Sequence, residues 1–281
     1  MQTRNLLNIV LLLTVAGLSA ATWFVYQNKT TIRYLSTLDA AQVTRIVIPR
    51  EHGDIVLARQ AHSWLMEKPY ALPAHDFRVQ TLLGLLQMPV SQSYATDELD
   101  LAQFDLNPAR ASIRFNDKEI RFGKSNPVNN KRYILSENRI YLLDDTLYPL
   151  VSAEAASLVS LSLLPAAVAI EKITLPELIL QKDSANIWHD ARGKTIAADT
   201  VQQLLDNWRD ASAFGAHAYM VRPGAKAVTV ELNNKTTMRF QVSAESNWLI
   251  IGRADAGVEY HLDTQYGEKL LRLPAAVTDK P

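Results

Sequence analysis

The fold of this chain is set by the stretch Arg45-Ile46-Val47-Ile48-Pro49, which returns in weaker form as Lys172-Ile173-Thr174-Leu175-Pro176. In both copies a Trp follows, and then the pattern Val-Gln-x-Leu-Leu, at residues 79–83 and again at residues 201–205. Landmarks that recur in one order indicate an internal duplication. The sequence therefore predicts one scaffold built twice.

The duplication continues into the second part of each copy. Residues 141–144 read Tyr-Leu-Leu-Asp and match residues 260–263, which read Tyr-His-Leu-Asp. Each copy has the length of one small domain. We expect a first α+β repeat over residues 43–166 and a second over residues 167–274.

Each copy contains one strong helix pattern. Apolar residues at positions i, i+3, i+4 and i+7 form a single stripe on a helix. These stripes are Val79, Leu82, Leu83 and Leu86 in the first copy, and Val201, Leu204, Leu205 and Trp208 in the second. Asp76 and Asp199 stand just before them, where a carboxylate can cap the free N–H groups of the first turn.

Alternating apolar residues predict strands around these helices. Ile46 and Ile48 share one face of a strand, and Asn116 and Asn233 stand in tight hairpin turns. Residues 152–165, rich in Ala, Ser and Leu, predict a short helix between the copies. The predicted fold is α+β, with two mostly antiparallel lobes that each carry one main packing helix.

The chain begins with a candidate membrane anchor. Residues 6–26 carry no charge and are mostly apolar, which is enough to cross a bilayer as one helix. A cleaved signal peptide is the alternative, with small residues at 19–21, but the apolar run continues to Tyr26. We expect an anchor over residues 1–27 and a polar stalk over residues 28–42.

The predicted location follows from the anchor. A single N-terminal span usually leaves the following domain outside the cytoplasm, so we expect an inner-membrane, single-pass protein with its bulk in the periplasm. The absence of Cys is compatible with an oxidising compartment. Basic and acidic residues number 29 each, without a basic cluster, so no nucleic-acid partner is expected. Residues 275–281 are expected to form a flexible tail.

The sequence offers few candidates for chemistry. His189-Asp190 could form a base and its orienting carboxylate, and the densest acidic cluster is Asp97, Glu98, Asp100 and Asp105. Without Cys or a helical His pair, no metal or other cofactor is predicted. Trp64 and Trp188 could line a groove, but their repetition favours core packing. No catalytic residue is assigned.

The order of landmarks in the first copy is similar to a bacterial family, the domain of unknown function 4340. The similarity, best over residues 43–165, rests on Ile46-Val47-Ile48, Gly53, Leu57, Trp64, Pro73, Asp76, Leu82-Leu83 and the Asp-Leu-x-x-Phe segment at residues 100–104. The resemblance implies an envelope protein with one membrane helix, of a kind found beside or fused to auxiliary parts of gliding-motility-type ABC transporters. It implies no catalytic residues.

The sequence thus predicts a non-catalytic, membrane-anchored scaffold or accessory subunit of an envelope complex. Its partners would be the inner membrane, through residues 6–26, and other proteins of the complex. Two alternatives stay open. One is an enzyme that acts on an envelope polymer through His189-Asp190 or the acidic cluster, and the other is a binder of a small molecule or glycan at the junction between lobes.

Overall fold

A computed structural model describes residues 12–20, 22–23, 33–61, 63–97 and 99–274. Residues 12–20 and 22–23 are helical, while the rest of the predicted anchor and the tail at 275–281 lie outside the described residues. Within the described part, no helix combines the length and apolar character needed to cross a membrane.

Nineteen strands and four short or medium helices make up the described chain after residue 32. In the first half they are β1 (Arg33–Tyr34), β2 (Arg45–Ile48), β3 (Ile55–Gln60), β4 (Ser63–Lys68), β5 (Leu72–Pro73), α1 (Asp76–Gly84), β6 (Pro89–Val90), β7 (Ser93–Ala95), β8 (Ala111–Phe115), β9 (Lys118–Ser125), β10 (Arg132–Ser136), β11 (Arg139–Leu143) and α2 (Tyr148–Val151). In the second half they are β12 (Ile170–Thr174), β13 (Ile179–Lys182), β14 (Trp188–Asp190), α3 (Ala198–Asp210), β15 (Gly215–Ala218), β16 (Lys226–Leu232), β17 (Thr237–Ala244), β18 (Leu249–Arg253), β19 (Val258–Leu262) and α4 (Tyr266–Leu271). Short 3-10 helices cover Ala40–Gln42, Leu85–Gln87, Leu101–Phe104 and Ala155–Leu158.

The strands form two antiparallel sheets of matching order. The first runs β5-β4-β3-β2-β8-β9-β10-β11-β7 and the second runs β14-β13-β12-β16-β17-β18-β19-β15. Apart from β5, each strand of the first sheet corresponds to one at the same place in the second. A separate two-stranded sheet pairs β1 with β6. The prediction of mostly antiparallel sheets with a few helices is confirmed.

The two predicted apolar stripes face the protein interior. All eight stripe residues are buried, and they join one hydrophobic core with residues from both sheets. The predicted caps are wrong in detail. Asp76 and Asp199 lie inside the first turns, and neither helix has a side-chain hydrogen bond at its N-cap, His75 or Ala197. The two carboxylates still stand where the helix dipole favours negative charge.

The hairpin asparagines make the same contact in both halves. Asn116 Oδ1 accepts a hydrogen bond from the Thr44 backbone N–H at 3.0 Å, and Asn233 Oδ1 accepts one from the Ala169 backbone N–H at 3.2 Å. Each asparagine thus ties a hairpin turn to the start of the strand beside it. Asn116 adopts a positive φ of 53°, which Asn tolerates better than most residues.

The segment between the halves is not the single helix predicted over residues 152–165. Only Ala155–Leu158 is helical, and it is a 3-10 turn. Beyond it, Ser160 N–H donates to the Pro73 carbonyl at 2.7 Å, and Ala213 N–H donates to the Leu161 carbonyl at 2.9 Å. Isolated bridges also join Val159 to Ala74 and Ser162 to Ser212. The linker is extended because its backbone is hydrogen-bonded to both halves.

Candidate functional site

His189 and Asp190 do not form the predicted pair. His189 Nε2 lies 2.9 Å from Oδ2 of Asp183, and its Nδ1 lies 3.5 Å from Thr195 Oγ1. Asp190 Oδ1 instead accepts backbone N–H bonds from Arg192 and Lys194. These N–H groups lower the pKa of Asp190, led by that of Lys194, against a smaller opposing effect of burial. Asp190 therefore stabilises its own turn.

The residues of the predicted acidic cluster have separate structural roles. Asp100 Oδ1 accepts the Ala102 N–H at 3.0 Å and caps a 3-10 helix. Asp105 forms an ion pair with Arg110 at 2.6 Å. Glu98 lies outside the described residues, and among the described ones no group of three or more His, Asp or Glu is arranged to hold a metal ion. The cluster and His189 lie in different halves and do not converge.

The two repeated Trp residues belong to the core. Trp64 and Trp188 are both buried and contact the common hydrophobic cluster. Each Trp backbone carbonyl accepts a hydrogen bond from a backbone N–H just before the following helix. The donors are Ala74 before α1 and Ile196 before α3. The packing interpretation from the sequence is therefore right.

A buried charged network, which the sequence patterns did not predict, is centred on β19. Glu259 is 1% exposed and accepts bonds from the Arg222 guanidinium and, at 2.9 Å each, from the Met220 backbone N–H and His261 Nε2. Burial alone would raise the pKa of Glu259, but the bonds from Arg222, His261 and Met220 outweigh it and lower the pKa to about 2. An ionised carboxylate can only accept hydrogen bonds, so in this contact the Nε2–H group of His261 donates to Glu259.

The matched positions of the first half do not repeat this network. In the matched strand order, Glu259 corresponds to Ile140 and His261 to Leu142, both apolar. Ile140 is as deeply buried as Glu259. The scaffold therefore folds with apolar residues at these positions, and a buried carboxylate there costs desolvation free energy. The difference between these apolar residues and their charged or polar counterparts in the second copy is the only indication of the network in the sequence.

An exposed apolar surface, here called the Trp248 face, surrounds the network. It consists of Phe214, Met220, Val221 and Trp248, of which Val221 is 81% and Phe214 66% exposed. The Phe214 and Trp248 rings meet edge to face with centroids 5.9 Å apart, and Trp248 lies 6.2 Å from the His261 ring. His261 in turn contacts the His217 ring at 4.5 Å. Phe214, Trp248 and the two His rings are thus linked by ring contacts, and Met220 and Val221 lie in the chain segment just before Arg222.

Three surface cavities accompany these features, and each is lined by one half of the chain. A cavity of about 280 Å³ adjoins Trp248 and contains Glu177 and Lys226. A cavity of about 480 Å³ lies near Arg45 and Arg114. A third, of about 500 Å³, contains Arg33 and Arg139 beside several hydroxyl groups. None of the three is a cleft between the lobes, as the predicted junction binder would require.

Comparison with known proteins identifies a family and nothing more specific. The profile described as Domain of unknown function (DUF4340) matches residues 64–213, more than half of the 281-residue chain. The match starts later than the resemblance over residues 43–165 and extends through α3 into the second half. No curated protein and no solved structure matches the chain. The chain belongs to the DUF4340 family.

Proposed function

We propose that this chain is a non-catalytic, membrane-anchored accessory subunit of an envelope complex, which binds a protein partner through the Trp248 face. Residues 6–26 would hold it in the inner membrane, with the two repeated lobes in the periplasm. The two lobes would be copies of one α+β unit with one packing helix each. An ABC transporter is the first partner to test.

The composition of the Trp248 face carries this proposal. Exposed patches of Phe, Met and Trp are enriched at protein interfaces, and Trp is frequent among residues that dominate binding free energy. Isolated apolar residues on a surface need no explanation, but contiguous ones point to an interaction site. Here Phe214 and Trp248 contact each other, and Met220 and Val221 immediately precede the anchored Arg222.

The face is also held rigidly, which lowers the entropic cost of binding. The Arg222 guanidinium bonds to both oxygens of Glu259 and, at 2.8 Å, to Glu245. Tyr219 N–H donates to the Gly257 carbonyl at 2.9 Å. The segment that carries Met220 and Val221 is therefore fixed to the sheet on both sides.

Photo-crosslinking in native membranes tests the proposal. A photoreactive phenylalanine analogue is placed at Val221 of the full chain, and at Val128 as the control, because Val128 is also highly exposed but lies in the first half. We expect a discrete adduct with a membrane-complex subunit at Val221 and none at Val128. Loss of the adduct on adding Trp248→Ala would support the face as the binding surface. The analogue is also placed at Trp248. If neither Val221 nor Trp248 gives an adduct, the proposed binding surface is refuted.

A further inference from the structure

The cavity beside β1 has the chemistry of an anion site. It is lined by two guanidinium groups, those of Arg33 and Arg139, and by the hydroxyl groups of Tyr34, Ser36, Thr37, Ser91, Ser93 and Tyr141. Guanidinium and hydroxyl groups together recognise phosphate oxygens. Its one acidic residue, Glu137, is engaged by Thr37 Oγ1 at 3.2 Å and by Lys118 Nζ at 4.0 Å.

The two arginines are available for a ligand. Within the described residues, neither has a carboxylate at ion-pair distance, and Arg139 is oriented by two bonds to Ser93, from Nε to Oγ at 2.7 Å and from Nη2 to the carbonyl at 3.4 Å. Both guanidinium groups act on one hydroxyl. Burial raises the pKa of Tyr141; the positive charge of Arg139 opposes that rise, the Glu137 carboxylate adds to it, and the charge of Arg33 opposes it. Both arginines line the same cavity as Tyr141.

The position of this cavity restricts where its ligand comes from. Arg33 and Tyr34 pair with Val90 and Pro89, and Leu35 N–H donates to the Met88 carbonyl at 2.9 Å, so the chain is fixed to the first lobe from residue 33 onward. Six residues lie between Arg33 and the end of the proposed anchor at residue 26. The seven Cα–Cα steps that join the two positions span at most about 25 Å even when fully extended. The cavity is thus kept close to the membrane surface.

We propose that the Arg33–Arg139 cavity binds the phosphate of an anionic phospholipid headgroup and so seats the first lobe on the membrane. This inference rests on the membrane anchoring in the proposed function. Exposed Tyr34 beside the cavity fits the same location, because amphipathic aromatic rings favour the headgroup region. Basic residues next to an anionic membrane surface strengthen binding by about fivefold each.

Hydrogen exchange in nanodiscs provides the test. The full chain is placed in nanodiscs of phosphatidylcholine alone or of phosphatidylcholine mixed with phosphatidylglycerol, and amide exchange is followed at residues 33–37 and 90–93. We expect slower exchange in the phosphatidylglycerol discs only. The Arg33→Gln/Arg139→Gln double variant loses this difference. Arg114→Gln keeps it, because Arg114 is an exposed arginine of the same half that lines another cavity.

The results of this experiment distinguish a failure of the lipid site from a failure of the membrane anchor. Unchanged exchange in β9 and β10 of the double variant shows that its fold is intact. If inorganic phosphate added to phosphatidylcholine discs gives the same protection, the ligand is a free phosphate and the lipid assignment is wrong. Entry into nanodiscs without a phosphatidylglycerol effect would overturn the headgroup site alone. Failure of the chain to enter nanodiscs would overturn the anchoring and this inference together.

Discussion

The substitution Glu259→Ile tests whether the buried network is a functional addition to a scaffold that does not need it. Ile is the residue type at the corresponding position of the first half, Ile140. The change leaves the Arg222 guanidinium, only 20% exposed, with Glu245 as its remaining carboxylate. Removal of one partner of a buried pair costs about 3–5 kcal/mol. We expect about 3 kcal/mol, the lower end, because Glu245 still compensates part of the charge.

The lowered pKa of Glu259 makes the contribution of this carboxylate to stability depend on pH. Its folded value of about 2 lies below the ordinary value of 4.5, and a difference of this size corresponds to about 3 kcal/mol of stability. Because the folded pKa is the lower one, this stability is fully present above pH 4.5 and is lost as the pH falls toward 2. The gap between wild type and Glu259→Ile should therefore be full at neutral pH and should narrow below about pH 4.5.

The assay is denaturant unfolding of the full chain in detergent, followed by Trp fluorescence at several pH values. The matched variant is Glu259→Ile/Arg222→Met, which replaces both charges with apolar groups. Since apolar replacement of a whole buried ion pair is often neutral or stabilising, most of the loss should be recovered. A single variant that costs less than about 1 kcal/mol, or a double variant no more stable than the single, would refute the reasoning.

Other predictions concern packing. Gly123→Ala should destabilise the fold by about 1–3 kcal/mol or more, because a Cβ there would lie 2.2 Å from the Phe104 carbonyl oxygen. Gly84→Ala, with no atom within 4 Å, should instead stabilise α1 by about 0.5–1 kcal/mol, and thermal unfolding separates the two signs. Leu82→Ala and Leu204→Ala should each cost about 2–5 kcal/mol in denaturant unfolding. A negligible cost at either leucine would show that its stripe is not core.

Local patterns of apolar residues correctly predicted the helices and strands that have one buried face. The stripes of α1 and α3 have a 3.6-residue period that only a helix with one buried face explains, and both are buried. The alternation at Ile46 and Ile48 likewise placed β2, because a period of two assigns one face to the core. These features depend on residues that are close in sequence, so they can be predicted from one sequence alone.

Features that depend on distant residues were not predictable in this way. Arg222 and Glu259 are separated by 37 positions, and only the fold brings them together. The linker was predicted as a helix because it is rich in Ala and Leu, which favour one, but backbone bonds to Pro73 and Ala213 hold it extended. Tertiary hydrogen bonds outweigh local preference there.

The linker also determines what separation of the two halves would cost. Residues 158–162 pair on one side with the first half, at residues 73–75, and on the other side with the second half, at residues 212–213. Moving the halves apart would therefore break backbone hydrogen bonds on at least one side of the linker. The backbone groups released there would need new partners, because an unpaired buried amide is costly.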